Sequence, residues 1–267
     1  MDYGLPYMDG MGFSPEAVSD DAASMYSMDM SNDSCTEYEP MDDDFSCDEE
    51  DALFDEDGAP LIAPFTADQT LLIFDWDDTI LPSTWIQRQG LRLDDSSVPT
   101  PEQMRQLGGF AQYAIRTLRA AKRLGTVVLV TNAERGWIEL SCRKFMPSLS
   151  PVLESIKICS ARAAYEKPGV TMPSMWKSLA FRREINNFSA PLAPDWSKNI
   201  ISFGDAMHER HAVFQVTNGM ANCNVKSFKF IEQPDLEQLR KEHELIFWCL
   251  RHIVSHDGIL DLQVQIS

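Results

Sequence analysis

Residues 66–267 are predicted to form an α/β fold, a three-layer α/β/α sandwich around a mainly parallel, Rossmann-like sheet. The first observation behind this prediction is that short apolar runs typical of buried strands alternate with segments of helical periodicity. The second is that polar residues directly follow several of these runs, at the edge where open parallel sheets bind ligands. The third is a break in composition near residue 65, which indicates that a disordered acidic tail, residues 1–65, precedes the folded domain.

Five apolar runs predict the strands of the sheet. The first, LLIFDW at 71–76, and the second, TVVLVTN at 126–132, are short and rich in aliphatic residues. The other three lie at 156–161, 199–205 and 224–230. Because these runs alternate with helical segments, we expect βαβ units and parallel neighbours.

Helical faces lie between the predicted strands. One face, which ends at Gly125, consists of Leu107, Phe110, Ala111, Ala114, Ile115 and Leu118. A second consists of Ile138, Cys142, Phe145 and Leu149, and another helix begins near Ser174. The last helix ends at Gly258 and carries the face Leu239, His243, Ile246, Leu250 and Ile253. On that apolar face, His243 is predicted to be a buried histidine with satisfied hydrogen bonds.

The acidic charge of the chain is concentrated in the predicted tail. Residues 1–65 contain 19 of the 41 acidic residues and no Lys or Arg. Self-repulsion and low hydrophobicity oppose a packed core in such a segment. Its acidic residues alternate with aromatic residues and methionines, a pattern typical of disordered segments that bind a protein partner. A solubilising segment without a specific partner is the alternative.

Composition also excludes several classes of protein. Outside the tail, 22 acidic residues balance 23 Lys and Arg, so a general nucleic-acid binder is not expected. The sequence contains no apolar run of about 20 residues, so a membrane span is not predicted. No signal peptide is recognisable at the N-terminus. Six cysteines without metal-site spacing are typical of reduced thiols. We therefore expect a cytoplasmic or nuclear protein.

Chemically reactive residues follow the predicted strands. Asp75 and Asp77 come after the first strand, Thr131 and Asn132 end the second, and Asp205 ends the fourth. Glu209 lies four residues after Asp205, and Lys177 is near the start of the helix before the fourth strand. Since the carboxyl ends of parallel strands share one edge of a sheet, we expect these side chains to converge.

These residues resemble the motifs of the haloacid dehalogenase-like superfamily. The DxDx(T/V) motif is matched by DWDDT at 75–79, the Ser or Thr that closes a strand by Thr131, and GDxxx(D/E) by GDAMHE at 204–209. Two residues compete for the motif lysine. Lys167 precedes a proline in a loop, whereas Lys177 opens the amphipathic helix and is favoured.

The resemblance implies a Mg²⁺-dependent phosphomonoester hydrolase. In such an enzyme Asp75 attacks phosphorus to form an aspartyl-phosphate, and Asp77 is the general acid and base. Thr131, Asn132 and Lys177 bind the phosphate, and Lys177 also stabilises the transition state. The metal ligands implied are the Asp75 carboxylate, the Asp77 backbone carbonyl, Asp205 and Glu209.

The substrate class is inferred from the short connections between the motifs. The 51 residues between Thr79 and Thr131 leave too few for a folded cap domain, although Trp85, Ile86 and Leu91 are candidates to roof the site. An uncovered site suits a phosphoprotein. The alternatives are a small-metabolite phosphatase, and an interaction protein of the same fold that works through its acidic tail. A further hypothesis is that the tail regulates the enzyme.

Overall fold

The computed structural model describes residues 64–193 and 195–265, which contain one six-stranded sheet. Its strands are β1 (Thr70–Phe74), β2 (Thr126–Thr131), β3 (Lys157–Ser160), β4 (Lys198–Gly204), β5 (Cys223–Lys229) and β6 (Leu260–Gln263). Their order across the sheet is β3-β2-β1-β4-β5-β6, and every neighbouring pair is parallel. The predicted α/β fold with its Rossmann-like sheet is confirmed. The predicted tail, apart from its last two residues, lies outside the described residues.

Within the described residues, eight α-helices connect or flank the strands. They are α1 (Ser83–Arg88), α2 (Pro101–Leu124), α3 (Trp137–Phe145), α4 (Ser150–Leu153), α5 (Ala161–Tyr165), α6 (Pro173–Ser189), α7 (Met207–Thr217) and α8 (Leu236–Ser255). In the part of the chain that the structure describes, none of them is long and apolar enough to cross a bilayer.

Alternation along β1 gives the sandwich its two apolar cores. Leu72 and Phe74 belong to a cluster that includes buried residues of α2, α3 and α8. Leu71 and Ile73 belong to the other cluster, with buried residues of α6 and α7. Successive strand side chains point to opposite faces, so the uninterrupted apolar run of β1 serves both helical layers.

The predicted elements differ from the structure where sequence periodicity is weak. All five predicted strands are present within two residues of their expected ends, but β6 was not predicted, because it has only four residues, of which three are exposed. The predicted helical face that ends at Leu149 is interrupted. Pro147 begins a separate 3₁₀ turn, Pro147–Leu149, after α3 has ended.

The strand order reverses at β1, and this position determines where polar residues meet. From β1 the chain proceeds to β2 and β3 on one side and to β4, β5 and β6 on the other. Beyond the end of β1, the backbone N–H of Asp75 still donates to Phe203 O on β4, at 2.9 Å. The carboxyl ends of β1 and β4 therefore lie side by side at the topological switch point, where open α/β sheets bind ligands.

Packing of the folded domain includes Phe65, which the sequence predicts to be the last residue of the tail. The side chain is only 5% exposed. Its ring centroid lies 4.9 Å from Nζ of Lys226, a buried lysine on β5 that also donates to Asn199 Oδ1 and Val254 O. Phe65 thus covers a buried cation near the amino-terminal edge of the sheet, opposite the edge that carries Asp75.

Candidate active site

Asp75 lies at the centre of a buried group of charges. Nζ of Lys177 donates to Asp75 Oδ1 at 2.6 Å, to Val130 O at 2.8 Å, and is 2.8 Å from Glu209 Oε1. Lys177 is 1% exposed, Glu209 3% and Asp75 8%. The three ammonium hydrogens of Lys177 therefore all have partners, and the lysine fixes the two carboxylates relative to β2.

Asp205 completes an acidic cluster that can hold a metal ion. Carboxylate oxygens of Asp75, Asp205 and Glu209 all lie within 4.8 Å of one another. Glu209 Oε2 is buried and has no hydrogen-bond partner among the described residues. A buried carboxylate oxygen without a donor is costly, and a hard cation with oxygen ligands would satisfy it. The donor set, three carboxylates within one cluster, fits such a cation.

The pKa values in this cluster are shifted because three carboxylates share a single lysine. Burial, reinforced by the negative charge of Glu209 and only partly offset by Lys177, raises the pKa of Asp75. Burial and the charges of Asp75 and Glu209 raise the pKa of Asp205. Burial alone would lower the pKa of Lys177, but Asp75 and Glu209 outweigh it and raise that pKa. Asp75 and Glu209 thus stabilise the protonated form of Lys177, but its single positive charge cannot neutralise all three carboxylates of the cluster.

Gly204, the last residue of β4, makes room for Glu209. A Cβ at position 204 would lie 2.3 Å from Glu209 Cγ and 2.8 Å from Cδ. Glu209 stands in the first turn of α7, where the positive end of the helix dipole favours a carboxylate. The glycine and the acidic residue five positions later therefore form one packing unit.

Asp77 is held by donors from three separate segments. Ser83 Oγ on α1 donates to Oδ1 at 2.6 Å, and Trp137 Nε1 on α3 donates to the same oxygen at 2.9 Å. Thr131 Oγ1, at the end of β2, donates to Oδ2 at 3.3 Å. The side chain of Asp77 is thus oriented by hydrogen bonds rather than by the lysine that binds Asp75.

Two of the three residues expected to bind phosphate, Thr131 and Asn132, lie at the end of β2. Thr131 is 1% exposed, and its hydroxyl oxygen also accepts from the backbone N–H of Ala133 at 2.9 Å. Asn132 Oδ1 is buried without a hydrogen-bond partner among residues that the structure describes. The side chain of Thr131 links this turn to Asp77.

The two candidate lysines occupy different environments. Lys177 is buried against Asp75, whereas Lys167 is exposed in a loop where its backbone pairs with Val170. The proline-containing insertion after Lys167 delays the helix until Pro173, so that Lys177, in the first turns of α6, is the lysine that reaches β1. The structure therefore brings together Asp75, Lys177, Asp205 and Glu209, with Asp77 and Thr131 beside them.

Ser83 and Trp137 are contacts of Asp77 that sequence reasoning missed. Ser83 begins α1, which is positioned because Asp78 accepts from Thr84 N at 2.8 Å and from Thr84 Oγ1 at 2.5 Å. Trp137 begins α3 directly after Gly136, whose φ is +88°. Both residues stand at the start of a helix that follows a motif-bearing strand, and this position is the one sequence signal that points to them.

The segment expected to roof the site is anchored in the core. Ile86 and Leu91 are buried in the cluster that contains α2, and Trp85 packs against it. Lys144 on α3 donates to the carbonyls of Asp94 and Ser97, at 2.6 and 2.7 Å. Ile86 and Leu91 are therefore core residues, and the roofing of the site by this segment stays a prediction.

Comparison of the chain with protein-family models, with curated proteins and with solved structures finds no match. The geometry of the site and the motif pattern are therefore the grounds for any functional assignment.

Proposed function

We propose that this chain is a Mg²⁺-dependent phosphomonoester hydrolase of the haloacid dehalogenase-like type. The observation that carries the proposal is the position of Asp75. Its carboxylate lies at the switch point of the sheet, bonded to Lys177 and within 4.8 Å of Asp205 and Glu209, two residues before an oriented second carboxylate, Asp77. A nucleophile, an acid–base group and countercharges thus occur together at one edge.

In the first half of the proposed reaction, a carboxylate oxygen of Asp75 attacks phosphorus. The bond between phosphorus and the ester oxygen breaks, and the leaving oxygen takes a proton from Asp77. Lys177 supplies a fixed positive charge beside the phosphoryl group as charge develops there. The product of this half-reaction is the alcohol and an aspartyl-phosphate on Asp75.

In the second half, water attacks phosphorus of the aspartyl-phosphate. Asp77 takes the proton of this water, the bond between phosphorus and Asp75 breaks, and inorganic phosphate leaves. Asp77 regains its proton and Asp75 its negative charge, so both carboxyl groups return to their initial states. The hydroxyl of Thr131, 3.3 Å from Asp77, is the group proposed to hold a phosphoryl oxygen in both steps.

The acidic cluster supports a role for Mg²⁺. Two like unit charges 4 Å apart repel by about 4 kcal/mol at an effective dielectric of 20, and a phosphate dianion adds to this repulsion. When bound, Mg²⁺ would supply charge that offsets these carboxylates and the substrate. The side chains that would hold it are Asp75, Asp205 and Glu209, together with the backbone carbonyl of Asp77 that the resemblance implies.

The proposed substrate is phosphate carried on a large molecule such as a phosphoprotein. The connections from β1 to β2 and from β2 to α6 lie wholly within described residues. The first contains α1, a loop and the long helix α2, and the second contains α3, α4, β3 and α5, so both consist of parts of the sandwich itself and neither contains a separate domain. An enzyme for small metabolites gains from enclosing its substrate, because enclosure excludes water and adds binding contacts. A site without a cap domain admits a phosphorylated segment of a larger chain.

Hydrolysis of 4-nitrophenyl phosphate, with and without Mg²⁺, tests the proposal. We expect Mg²⁺-dependent turnover that falls by at least about 10³-fold in Asp75→Asn, because the variant lacks the nucleophile. Asp68→Asn is the matched control, since Asp68 is exposed before β1, at the opposite edge of the sheet. Acid quench during turnover should trap a phosphoenzyme that hydroxylamine cleaves, as an acyl phosphate requires.

Turnover by Asp75→Asn at the wild-type rate would contradict the proposed nucleophile. Turnover that is indifferent to chelation would contradict the metal requirement. A folded wild-type protein that hydrolyses neither this ester nor phosphopeptides in any divalent metal would favour the alternative, an interaction protein of phosphatase fold.

A further inference from the structure

The two carboxylate oxygens of Asp77 have different hydrogen-bond partners, and this difference indicates which oxygen can carry a proton. Oδ1 accepts two hydrogen bonds, from Ser83 Oγ at 2.6 Å and from Trp137 Nε1 at 2.9 Å. Oδ2 has one longer contact, 3.3 Å, with the Thr131 hydroxyl. An indole N–H can donate but never accept, so the oxygen that faces Trp137 must offer a lone pair.

Trp137 is itself held in place by a chain of hydrogen bonds. Its carbonyl accepts from Ser141 Oγ at 2.6 Å, and Ser141 Oγ accepts from Trp76 Nε1 at 3.1 Å. Trp76 is fully buried and lies between Asp75 and Asp77 in the sequence. The backbone of Trp137 is therefore linked through Ser141 to Trp76, a residue of the loop that contains Asp77, and this link limits where the indole can lie.

We propose that Trp137 and Ser83 are positioning residues that fix Oδ1 of Asp77 as a permanent acceptor, so that Oδ2 carries the catalytic proton. This inference rests on the proposed phosphatase function. Oδ1 already accepts two hydrogen bonds, one for each of its two lone pairs, which leaves Oδ2 as the oxygen available for protonation. Oδ2 is also the oxygen beside Thr131, the residue proposed to hold the phosphoryl group.

The assignment specifies the path of the proton. As the ester bond to phosphorus breaks, the hydrogen on Oδ2 moves to the departing oxygen, and Asp77 becomes a carboxylate that keeps its two donors on Oδ1. In the second half-reaction Oδ2 accepts a proton from the attacking water, while the Asp75–phosphorus bond breaks. Trp137 and Ser83 do not exchange a proton in either step; they hold Asp77 so that Oδ2 faces the reacting atoms.

If Trp137 positions Asp77, the effect of losing its indole donor should depend on the leaving group of the ester. Esters with a poor leaving group depend on protonation by Asp77, whereas 4-nitrophenolate leaves with little help. Loss of the indole donor should therefore harm the hydrolysis of an alkyl phosphate more than that of 4-nitrophenyl phosphate. A merely structural role for Trp137 would lower both rates by the same factor.

The experiment compares kcat/KM for benzyl phosphate and 4-nitrophenyl phosphate in the full chain with Mg²⁺. Trp137→Phe keeps an aromatic ring but removes the donor, and Ser83→Ala removes the other donor to the same oxygen. We expect each to lower kcat/KM for benzyl phosphate by about 10–100-fold and for 4-nitrophenyl phosphate by much less. Trp196→Phe, at a half-exposed tryptophan before β4, is the matched control and should change neither value.

Combination with Asp77→Asn isolates the contact. If Trp137 acts through Asp77, adding Trp137→Phe to Asp77→Asn should cost nothing further on benzyl phosphate. Equal losses on both substrates, or a full additional loss in the double variant, would overturn the inference while leaving the phosphatase intact. Absence of turnover in the folded wild type would instead overturn the proposed function, and this inference with it.

Discussion

Glu209 combines three local interactions in one buried side chain. Oε1 is 2.8 Å from Lys177 Nζ, the aliphatic part of the side chain covers Gly204, and the carboxylate belongs to the acidic cluster. Each interaction limits the others, because all three are made by one short, buried side chain. The conformation of this residue is therefore set by packing as much as by charge.

At the scale of this residue we predict the effect of filling the space above Gly204. Gly204→Ala should destabilise the protein by about 1–3 kcal/mol, because Cβ would collide with Glu209 Cγ and the buried carboxylate cannot move freely. It should also weaken Mg²⁺ binding. Urea unfolding with EDTA and isothermal titration with Mg²⁺ measure the two effects.

Gly109→Ala is the control for this substitution. Gly109 is exposed within α2, and a Cβ there would meet nothing within 4 Å. This variant should be more stable than wild type by up to about 1 kcal/mol, since alanine is the better helix former. A Gly204→Ala protein as stable as Gly109→Ala would show that Glu209 has no fixed position.

Helix α8 is the element that connects the loop of Asp75 and Asp77 to the core. The ring of His243 lies with Nε2 2.9 Å from Thr79 O and Nδ1 3.0 Å from Thr117 Oγ1, and the side chain is fully buried. A neutral ring that donates from Nε2 to the carbonyl and accepts from the hydroxyl satisfies both contacts. The predicted buried histidine is confirmed, and it bonds the loop that carries the proposed catalytic residues.

Two neighbours on α8 respond to pH in opposite directions. Burial lowers the pKa of His243 to about 4, so the unfolded chain binds a proton there first, and stability falls as pH drops from about 6.5 to 4. Burial raises the pKa of Glu242 to about 7, so the folded chain keeps that proton longer. Its contribution to stability is present at low pH and is lost as pH rises from about 4.5 to 7.

The opposite pKa shifts of His243 and Glu242 predict opposite pH dependences of stability for variants of the two residues. Between pH 7.5 and 5, the advantage in unfolding free energy of wild type over His243→Gln should shrink by about 2 kcal/mol. Over the same range, the advantage over Glu242→Gln should grow by about 2 kcal/mol. Urea unfolding at several pH values provides both curves, and other titrating groups cancel in each difference. Parallel curves would contradict the assignment of either side chain as a buried titrating group.

For the whole molecule, the switch point of the sheet concentrates negative charge. Asp75 follows β1 and Asp205 follows β4, and these two strands are neighbours where the strand order reverses. The ammonium group of Lys177, on α6, binds the carboxylates of Asp75 and Glu209 and holds them in place. The fold thus places like charges together at a cost in stability, as expected of a site that serves a ligand.

We predict that Asp205→Asn changes stability in opposite senses with and without metal. In EDTA the variant should be more stable than wild type by about 1–2 kcal/mol, because burial and the charges of Asp75 and Glu209 raise the pKa of Asp205, and asparagine does not carry this energetic cost. With Mg²⁺ at 100 times its dissociation constant, wild type should gain about 2.7 kcal/mol and the variant much less, so the order should reverse. Thermal unfolding of both proteins in the two buffers tests this.

Asp195→Asn, at an exposed position before β4, serves as the comparison and should behave as wild type in both buffers. An Asp205→Asn protein that is less stable than wild type in EDTA would mean that the cluster is not repulsive. Equal stabilisation of wild type and variant by Mg²⁺ would remove Asp205 from the proposed ligands.

Local sequence patterns were sufficient to predict the α/β class, five of the six strands in the described residues, and the polar residues that follow those strands. These features are encoded locally, because burial on both faces requires continuous apolar runs and helices require an apolar residue every three or four positions. The alignment of Asp75, Thr131 and Asp205 at one edge follows from the parallel arrangement of β1, β2 and β4. The position of these residues could therefore be foreseen without coordinates.

Contacts between side chains at the site could not be predicted from the sequence, because they depend on tertiary packing. Trp137 reaches Asp77 across 60 residues of sequence, and Lys177 rather than Lys167 reaches Asp75 across 102. Strand β6 likewise depends on pairing with β5, since its own side chains are mostly exposed. Such contacts depend on how helices pack over the sheet. One hydrogen-bonding side chain produces no periodic pattern in the sequence, so its partner can be identified only from the packing of the folded chain.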